Sequence, residues 1–415
     1  MKEHTKLTKL EKYWILYDVG NSAFILLVST ILPIYFNSLA GGAGISEVDY
    51  LAYWGYAASI STILVAILGP TLGTLADTKN FKKPLFALCM ILGVAACSIL
   101  SLPSSWFAFL VVFVVAKVGY SASLVFYDSM LVDVTAPERL DRVSSHGYAW
   151  GYIGSCVPFL LSLSLVLMNE SLGLTMQAAM TLAFVINAAW WFLMSLPLLK
   201  HYRQRHFIPL PKHPVKESFL RLYRTFLDIR GQKHIFLYLL AFFFFIDGVY
   251  TIIEMATAYG SALGLDTTGL LLALLLTQVV AFPFALLFSR LSKQYPTALL
   301  LKVCIGAYTL IALFAIQLDK QWEFWLLAFL VGMFQGAIQA LSRSYFARII
   351  PPEKSGEYFG IYDIFGKGAS FMGTTLVGVM AQLTGRSNAG IAAIAVLFVI
   401  GFILFCKAAR TNKAK

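Results

Sequence analysis

Long apolar runs, broken by short polar connections, dominate the chain from one end to the other. The first, over residues 14–36, holds one charged residue, Asp18. Runs of this kind recur near 13–38, 51–76, 84–103, 105–132, 146–168, 175–198, 234–260, 267–290, 296–318, 322–349, 357–383 and 388–407. Each is long enough for a helix to cross a bilayer core, which takes roughly 20 residues. Lipid leaves no partner for an open backbone group, so such runs are helical. The pattern predicts an all-α polytopic membrane protein with 12 transmembrane helices in two pseudo-symmetric six-helix halves, 1–198 and 234–415. Between them lies a basic connection, 199–233. There Val215, Phe219, Leu222, Tyr223, Phe226 and Leu227 recur at helical spacing, with Lys216, Arg221, Arg224 and Arg230 on the remaining surface. That is the pattern of an interfacial helix on an anionic leaflet.

The halves repeat. Pro137-Glu138 and Pro352-Glu353 lie 215 residues apart, and the same offset takes Gly151 to Gly366 and Ser155 to Ser370. Repeated halves are a mark of transporter folds, with the solute site between them near mid-membrane.

Composition sharpens the class. The chain is 59% hydrophobic and 13% charged, where a soluble domain is about a quarter charged. The net charge of +11 is no nucleic-acid footprint. Lys and Arg collect in alternate connections, and the opposite connections hold only Lys320 and Arg386. This asymmetry places both termini in the cytoplasm. The basic start followed by a long apolar run reads as an uncleaved first span. The five cysteines are scattered without redox or zinc spacing, so neither a metal site nor a cofactor is expected.

Polar residues inside the spans carry the candidate chemistry, since a polar face against lipid is costly. Asp18, Asn21 and Ser22 share a face of span one. Lys117, Ser121 and Asp128 align in span four, and Asp247, Thr251 and Glu254 in span seven. Gln335, Gln339 and Ser342 align in span ten with Arg343 beside them, and Asp363, Lys367 and Ser370 align in span eleven. By depth, Asp18, Asp128, Asp133, Arg343, Arg348 and Asp363 fall toward the cytoplasmic end. Lys117, Asp247, Gln335, Gln339 and Lys367 lie near mid-membrane, Asn21 just below, and Glu254 toward the outside. The deep set suits solute binding, with Asp247 and Glu254 as proton-coupling groups. Lys117 and Lys367 could instead neutralise neighbouring Asp residues. The cytoplasmic set suits a gate, because the 215-residue offset sets Asp128 against Arg343 and Asp133 against Arg348. A permanent structural network is the alternative.

Two motifs narrow the class. Gly69-Pro70-Thr71-Leu72-Gly73-Thr74-Leu75-Ala76-Asp77-Thr78-Lys79-Asn80-Phe81-Lys82-Lys83 resembles the major facilitator superfamily signature. Asp77 there can accept bonds from a neighbouring helix N-terminus or from Arg. Thr78 and Asn80 depart from the usual Arg and Gly. The equivalent loop of the second half, Ser289 to Lys293, has lost the Asp, which implies a stronger latch in the first half. Tyr17-Asp18-Val19-Gly20-Asn21-Ser22-Ala23-Phe24, Phe126-Tyr127-Asp128-Ser129, Asp247-Gly248-Val249 and Ser355-Gly356-Glu357-Tyr358-Phe359-Gly360 resemble the vacuolar effluxer, autophagy-related branch of that superfamily. Gly20 stands where Ala is usual. The resemblance implies the major facilitator fold, a cavity lined by spans one, four, seven and ten, and export of small solutes. For the vacuolar relatives the solutes are amino acids.

The expected function is a proton-coupled secondary transporter working by alternating access in a bacterial plasma membrane, not an enzyme. Its partners would be a small-molecule solute and membrane lipids, and it would act as a monomer. A lipid or amphiphile translocase, or a drug exporter on the same fold, is the alternative. Phe242 to Phe245 would then be of interest, though lipid-facing packing is the simpler explanation of them.

Overall fold

The computed structural model describes residues 6–210, 214–262, 267–385 and 387–413. The elements in order are α1 (Lys9–Ser29), α2 (Ile31–Gly42), α3 (Glu47–Ala76), α4 (Lys82–Ser98), α5 (Trp106–Ser129), the short α6 (Leu131–Val134) and α7 (Leu140–Leu167). They continue with α8 (Met176–His201), α9 (Pro214–Gly231), α10 (Lys233–Ala262), α11 (Thr267–Leu291) and α12 (Thr297–Ala315). The last are α13 (Gln321–Ile349), α14 (Ser355–Thr384) and α15 (Ser387–Lys413). Single 3₁₀ turns, Pro137–Arg139 and Pro352–Lys354, precede α7 and α14. Among the described residues there is no strand, only an isolated bridge between Thr78 and Ile208.

Local chemistry sets the helix ends. Thr8 and Glu11 form a reciprocal capping box at the start of α1, satisfying two otherwise orphaned amides. Ser46, Ser105 and Thr175 cap α3, α5 and α8. The first apolar run breaks at Thr30 because Pro33 lacks an amide and its ring crowds the Ser29 carbonyl. Eleven segments among the described residues are long and apolar enough to cross a membrane, α1 and α2 forming one. The third expected span, 84–103, is shorter as a helix. α4 has 17 residues and ends where Ile99 leaves helical geometry, ahead of Pro103.

The chain forms two compact units. The first comprises Met1–Thr135, Trp150–Ser218 and Pro352–Gly360, the second Ala136–Ala149, Phe219–Pro351 and Ile361–Lys415. In the first, α1 packs on α8, α4 on α5 and α8, and α3 on α5. Its core is aromatic: Trp14 stacks on Tyr127 at 4.3 Å, and Tyr17 meets both Tyr127 and Phe86 at 4.8 Å. In the second, α10 runs along α15, α11 along α13, and α12 against both α13 and α15. The run Phe242 to Phe245 divides by helical phase. Phe242 and Phe245 are buried, with Phe242 stacked on Tyr362 at 4.1 Å, while Phe243 and Phe244 are partly exposed. Half of that run is therefore core, not lipid-facing.

Candidate functional site

Unit 1 holds a buried ionic latch. Asp77 directly follows α3 and is fully buried. Its carboxylate accepts the Gly356 amide at 2.7 Å and the Glu357 amide at 2.9 Å. These lie in the first turn of α14, where amides lack intrahelical partners and the helix dipole favours an anion. The approach depends on two missing side chains. A Cβ on Gly73 would overlap the Gly356 carbonyl, and one on Gly356 would overlap the Gly73 carbonyl and sit 2.8 Å from Asp77 Oδ1.

Lys82, also fully buried, joins the latch to a second acid. Its ammonium lies 3.7 Å from Asp77 and 3.6 Å from Asp133, and donates to Ser355 Oγ at 2.8 Å. Asp133 further accepts the Tyr202 hydroxyl at 2.5 Å and the amides of Arg205 and His206 at 3.1 and 2.8 Å. His206 Nδ1 sits 3.0 Å from the same carboxylate. The segment after α8 is thus tied down. Ile208 donates to Asp77 O at 2.8 Å and accepts from the Lys79 amide at 3.0 Å. Gln204 bonds Ala76 O and the Asn80 amide. Asn80 takes the left-handed turn, φ 68°, that Asn tolerates where Gly is usual. Sequence reading found Asp77 and Asp133 but missed Lys82, Tyr202, His206 and Ser355. The signal for Lys82 was present, since it closes the motif that Asp77 opens.

Titration of this network has a definite sign. Burial pushes the Asp77 carboxyl up to about 7, against the pull of Lys82 and the two amides. The bond to Asp133 raises His206 above its usual value. Burial alone would raise Asp133, but Lys82, His206 and Tyr202 together hold it below the usual carboxylate range. A raised carboxyl contributes stability that is full below its unfolded value of 3.8 and lost as pH rises through about 7. His206 contributes stability that is full below 6.5 and lost above it. The opposing Asp133 contribution is lost only below pH 3.8. The purified protein should therefore melt higher at pH 6 than at pH 8, with a slope approaching ~1.4 kcal/mol per pH unit per titrating group. The Asp77→Asn/His206→Gln double variant should flatten that trend. A wild-type slope of opposite sign, or an unchanged slope in the double variant, would refute the assignment.

Unit 2 carries a second cluster. Asp141, in the first turn of α7, accepts the hydroxyls of Ser344 and Thr297 at 2.5 Å each and Arg348 Nη2 at 3.0 Å. Arg343, almost fully buried, donates to Ser144 Oγ at 2.9 Å and Ser144 O at 3.1 Å, and lies 4.4 Å over the Tyr148 ring. The loop that lost its Asp contributes Ser289, 3.3 Å from His146 Nδ1. The acid here stands on α7 itself, so Arg348 pairs with Asp141, a residue sequence reading passed over. Asp133 belongs to the unit 1 latch instead. Asp18 and Asp128 lie in unit 1, Asp18 buried and Asp128 half-buried.

The deep candidates separate into several sites. Asp247 is fully buried and accepts the Gly373 amide at 2.8 Å, with Thr251 Oγ1 at 3.4 Å. A Cβ on Gly373 would overlap both the Asp247 carboxylate and the Thr251 hydroxyl, so this bond reaches the backbone of α14 directly. Lys367 pairs with Asp363 at 2.6 Å, one helical turn away. Lys117 lies 5.8 Å from the Phe113 ring centre. Asn21 is buried and donates to the Tyr17 carbonyl of its own helix at 2.9 Å. Gln339 donates to the Gln335 carbonyl at 3.3 Å. Gln335, 4% exposed, has a side-chain oxygen with no hydrogen-bond partner. It lines a cavity of about 40 Å³ between α10, α11 and α13, with Thr277, Gln278 and otherwise apolar walls. That volume holds roughly three water-sized groups. The side chains of Glu254 and Ser370 lie outside the described residues.

Helical spans in two units, and an acid after α3 that caps the start of a distant helix, define a polytopic membrane transporter of the major facilitator class. Solved structures agree on the fold. The human organic anion transporter MFSD10 (TETRAN) superposes with a TM-score of 0.71 at 15% identity, covering 95% of this chain and 98% of that one. A bacterial homologue of the iron transporter ferroportin gives 0.70 at 14%, covering 97% and 98%. The chain belongs to the family described as "Vacuole effluxer Atg22 like", whose model matches residues 8–415. The MFS-type transporter YxiO of Bacillus subtilis (strain 168) is 44% identical over 404 residues, covering 96% of this chain and 94% of YxiO. Autophagy-related protein 22-1 of Aspergillus fumigatus is 27% identical over 291 residues, 62% of this chain and 46% of that longer protein.

Proposed function

We propose that this transporter is a secondary active exporter of a small polar solute such as an amino acid, coupled to protons and working by alternating access without a catalytic step. The observation that carries the reading is the Asp77 latch. Ser355–Gly360 of α14 belongs to unit 1, and Ile361 onward belongs to unit 2. A movement of the start of α14 away from the end of α3 would break the bonds from Gly356 and Glu357 to Asp77. A pair of charge-assisted bonds is strong enough to hold one state yet small enough to exchange for solvent. The positive-inside pattern puts the latch at the cytoplasmic face of the bacterial inner membrane, with Asp18, Asp128, Arg343, Arg348 and Asp363 as further gate residues. Asn21, Lys117, Gln335, Gln339 and Lys367 are proposed to meet the solute. Asp247 and Glu254 are proposed to carry the coupling proton, because an acid deep in a membrane protein is costly unless it works.

Counterflow and uptake in proteoliposomes, with an amino-acid panel and with or without a pH gradient, test this. Asp247→Asn and Glu254→Gln are expected to abolish gradient-driven accumulation while leaving exchange. Accumulation that persists in both variants would remove these residues from coupling. The apolar walls of the Gln335 cavity favour a second reading, translocation of an amphiphile, which a fluorescent-lipid panel in the same vesicles distinguishes.

A further inference from the structure

The connection between the halves contains a helix that is inside out for an aqueous setting. α9 exposes Phe219, Leu220, Tyr223 and Leu227, each 50–65% accessible. On the other side it buries Ile229 together with Ser218 and Thr225, whose two hydroxyls have no hydrogen-bond partner. In water the reverse burial is favoured, since apolar area leaves solvent and a buried unsatisfied hydroxyl is costly. The outer residues follow i, i+1, i+4, i+8, one continuous ridge roughly 12 Å long at 1.5 Å per residue.

Two further facts say what covers the ridge. Only Gln232 separates α9 from α10, an apolar crossing helix that begins at Lys233, so the end of α9 is fixed at the membrane boundary. Its basic residues, Lys216, Arg221, Arg224 and Arg230, outnumber Glu217 and Asp228, and Lys216 and Arg224 are exposed. The side chains of Val215, Phe226 and Arg230 lie outside the described residues. We infer that α9 is a lipid-docking helix, with the Phe219–Tyr223–Leu227 ridge sunk into an anionic leaflet and Lys216 and Arg224 on its headgroups.

Spin labels test the inference on the full chain in nanodiscs. Single cysteines replace Phe219, Tyr223, Leu227, Lys216 or Arg224 in a Cys406→Ser background, the other native thiols being buried. In bilayers containing phosphatidylglycerol, labels at 219, 223 and 227 should be relaxed by oxygen more than by a water-soluble nickel chelate. The label at 216, three residues before Phe219 on the same helical face, should follow the ridge, and that at 224 should show the opposite. Lys216→Gln and Arg224→Gln, with the label at 223, should each lower the preference for anionic over phosphatidylcholine bilayers by roughly fivefold. Nickel access at 219 and 223 matching that at 224 would place the ridge in water and overturn the proposal. Shielding from both colliders would mean a protein surface or a second copy covers it, and overturns it equally. A ridge depth indifferent to lipid charge would refute the anionic assignment.

Discussion

Lys82→Met is expected to destabilise the protein by about 3–5 kcal/mol, the cost of breaking a buried ion pair by removing one partner. Lys82 is fully buried, and its ammonium serves Asp77, Asp133 and Ser355 together. Methionine fills the stem's volume and supplies no charge, so buried Asp77 must stay charged without a counter-ion or take up a proton and weaken its hold on the Gly356 and Glu357 amides. Asp133 keeps Tyr202 and His206, so Asp77 bears most of the loss. Adding Asp77→Asn should recover part of it, because the neutral amide needs no counter-charge. The coupling appears as a non-additive double-mutant cycle in thermal melting. A Lys82→Met protein that melts with the wild type would show that the ammonium contributes nothing.

Gly356→Ala should have the next largest effect. The added methyl meets backbone on one side and the Asp77 carboxylate on the other, and neither can retreat without moving α3 or α14. Overpacking of this kind costs about 1–3 kcal/mol, and the shift also loosens the two amide bonds to Asp77. At about 1.4 kcal/mol per factor of ten, the ratio of latched to unlatched protein should fall roughly fivefold to a hundredfold, with counterflow altered accordingly. Gly366→Ala is the matched control. It lies in the same helix, but its new methyl would find Phe242 Cε1 at 3.5 Å, an ordinary contact. Equal behaviour of the two variants would remove the close approach as the cause.

The legible part of the candidate site was the part carried by local pattern. Asp77 could be read because the whole motif lies in one loop, and Asn80 because its left-handed backbone is a property of the residue. Lys82 was in plain view in the same motif, yet its importance depends on Asp133, more than fifty positions away. Asp141 was missed because the acid of the second cluster stands at the start of α7 and not in the loop after α11. The 215-residue repeat relates positions, not partners. Asp247 was singled out as a deep acid, but its bond to the Gly373 amide was invisible, since a backbone donor has no sequence signature.

The sequence by itself determined the class and most of the spans. Hydrophobic runs must become helices in lipid, because their backbone groups find no other partner there; that the first run breaks at Thr30 while Pro70, Pro158, Pro197 and Pro283 sit inside unbroken helices only the structure showed. The motifs supplied the family. Tertiary structure alone decided which charge meets which. At a few ångströms in a buried setting, an ion pair is set by helix crossings and by which glycines let backbones touch. Those distances belong to packing between segments far apart in the chain.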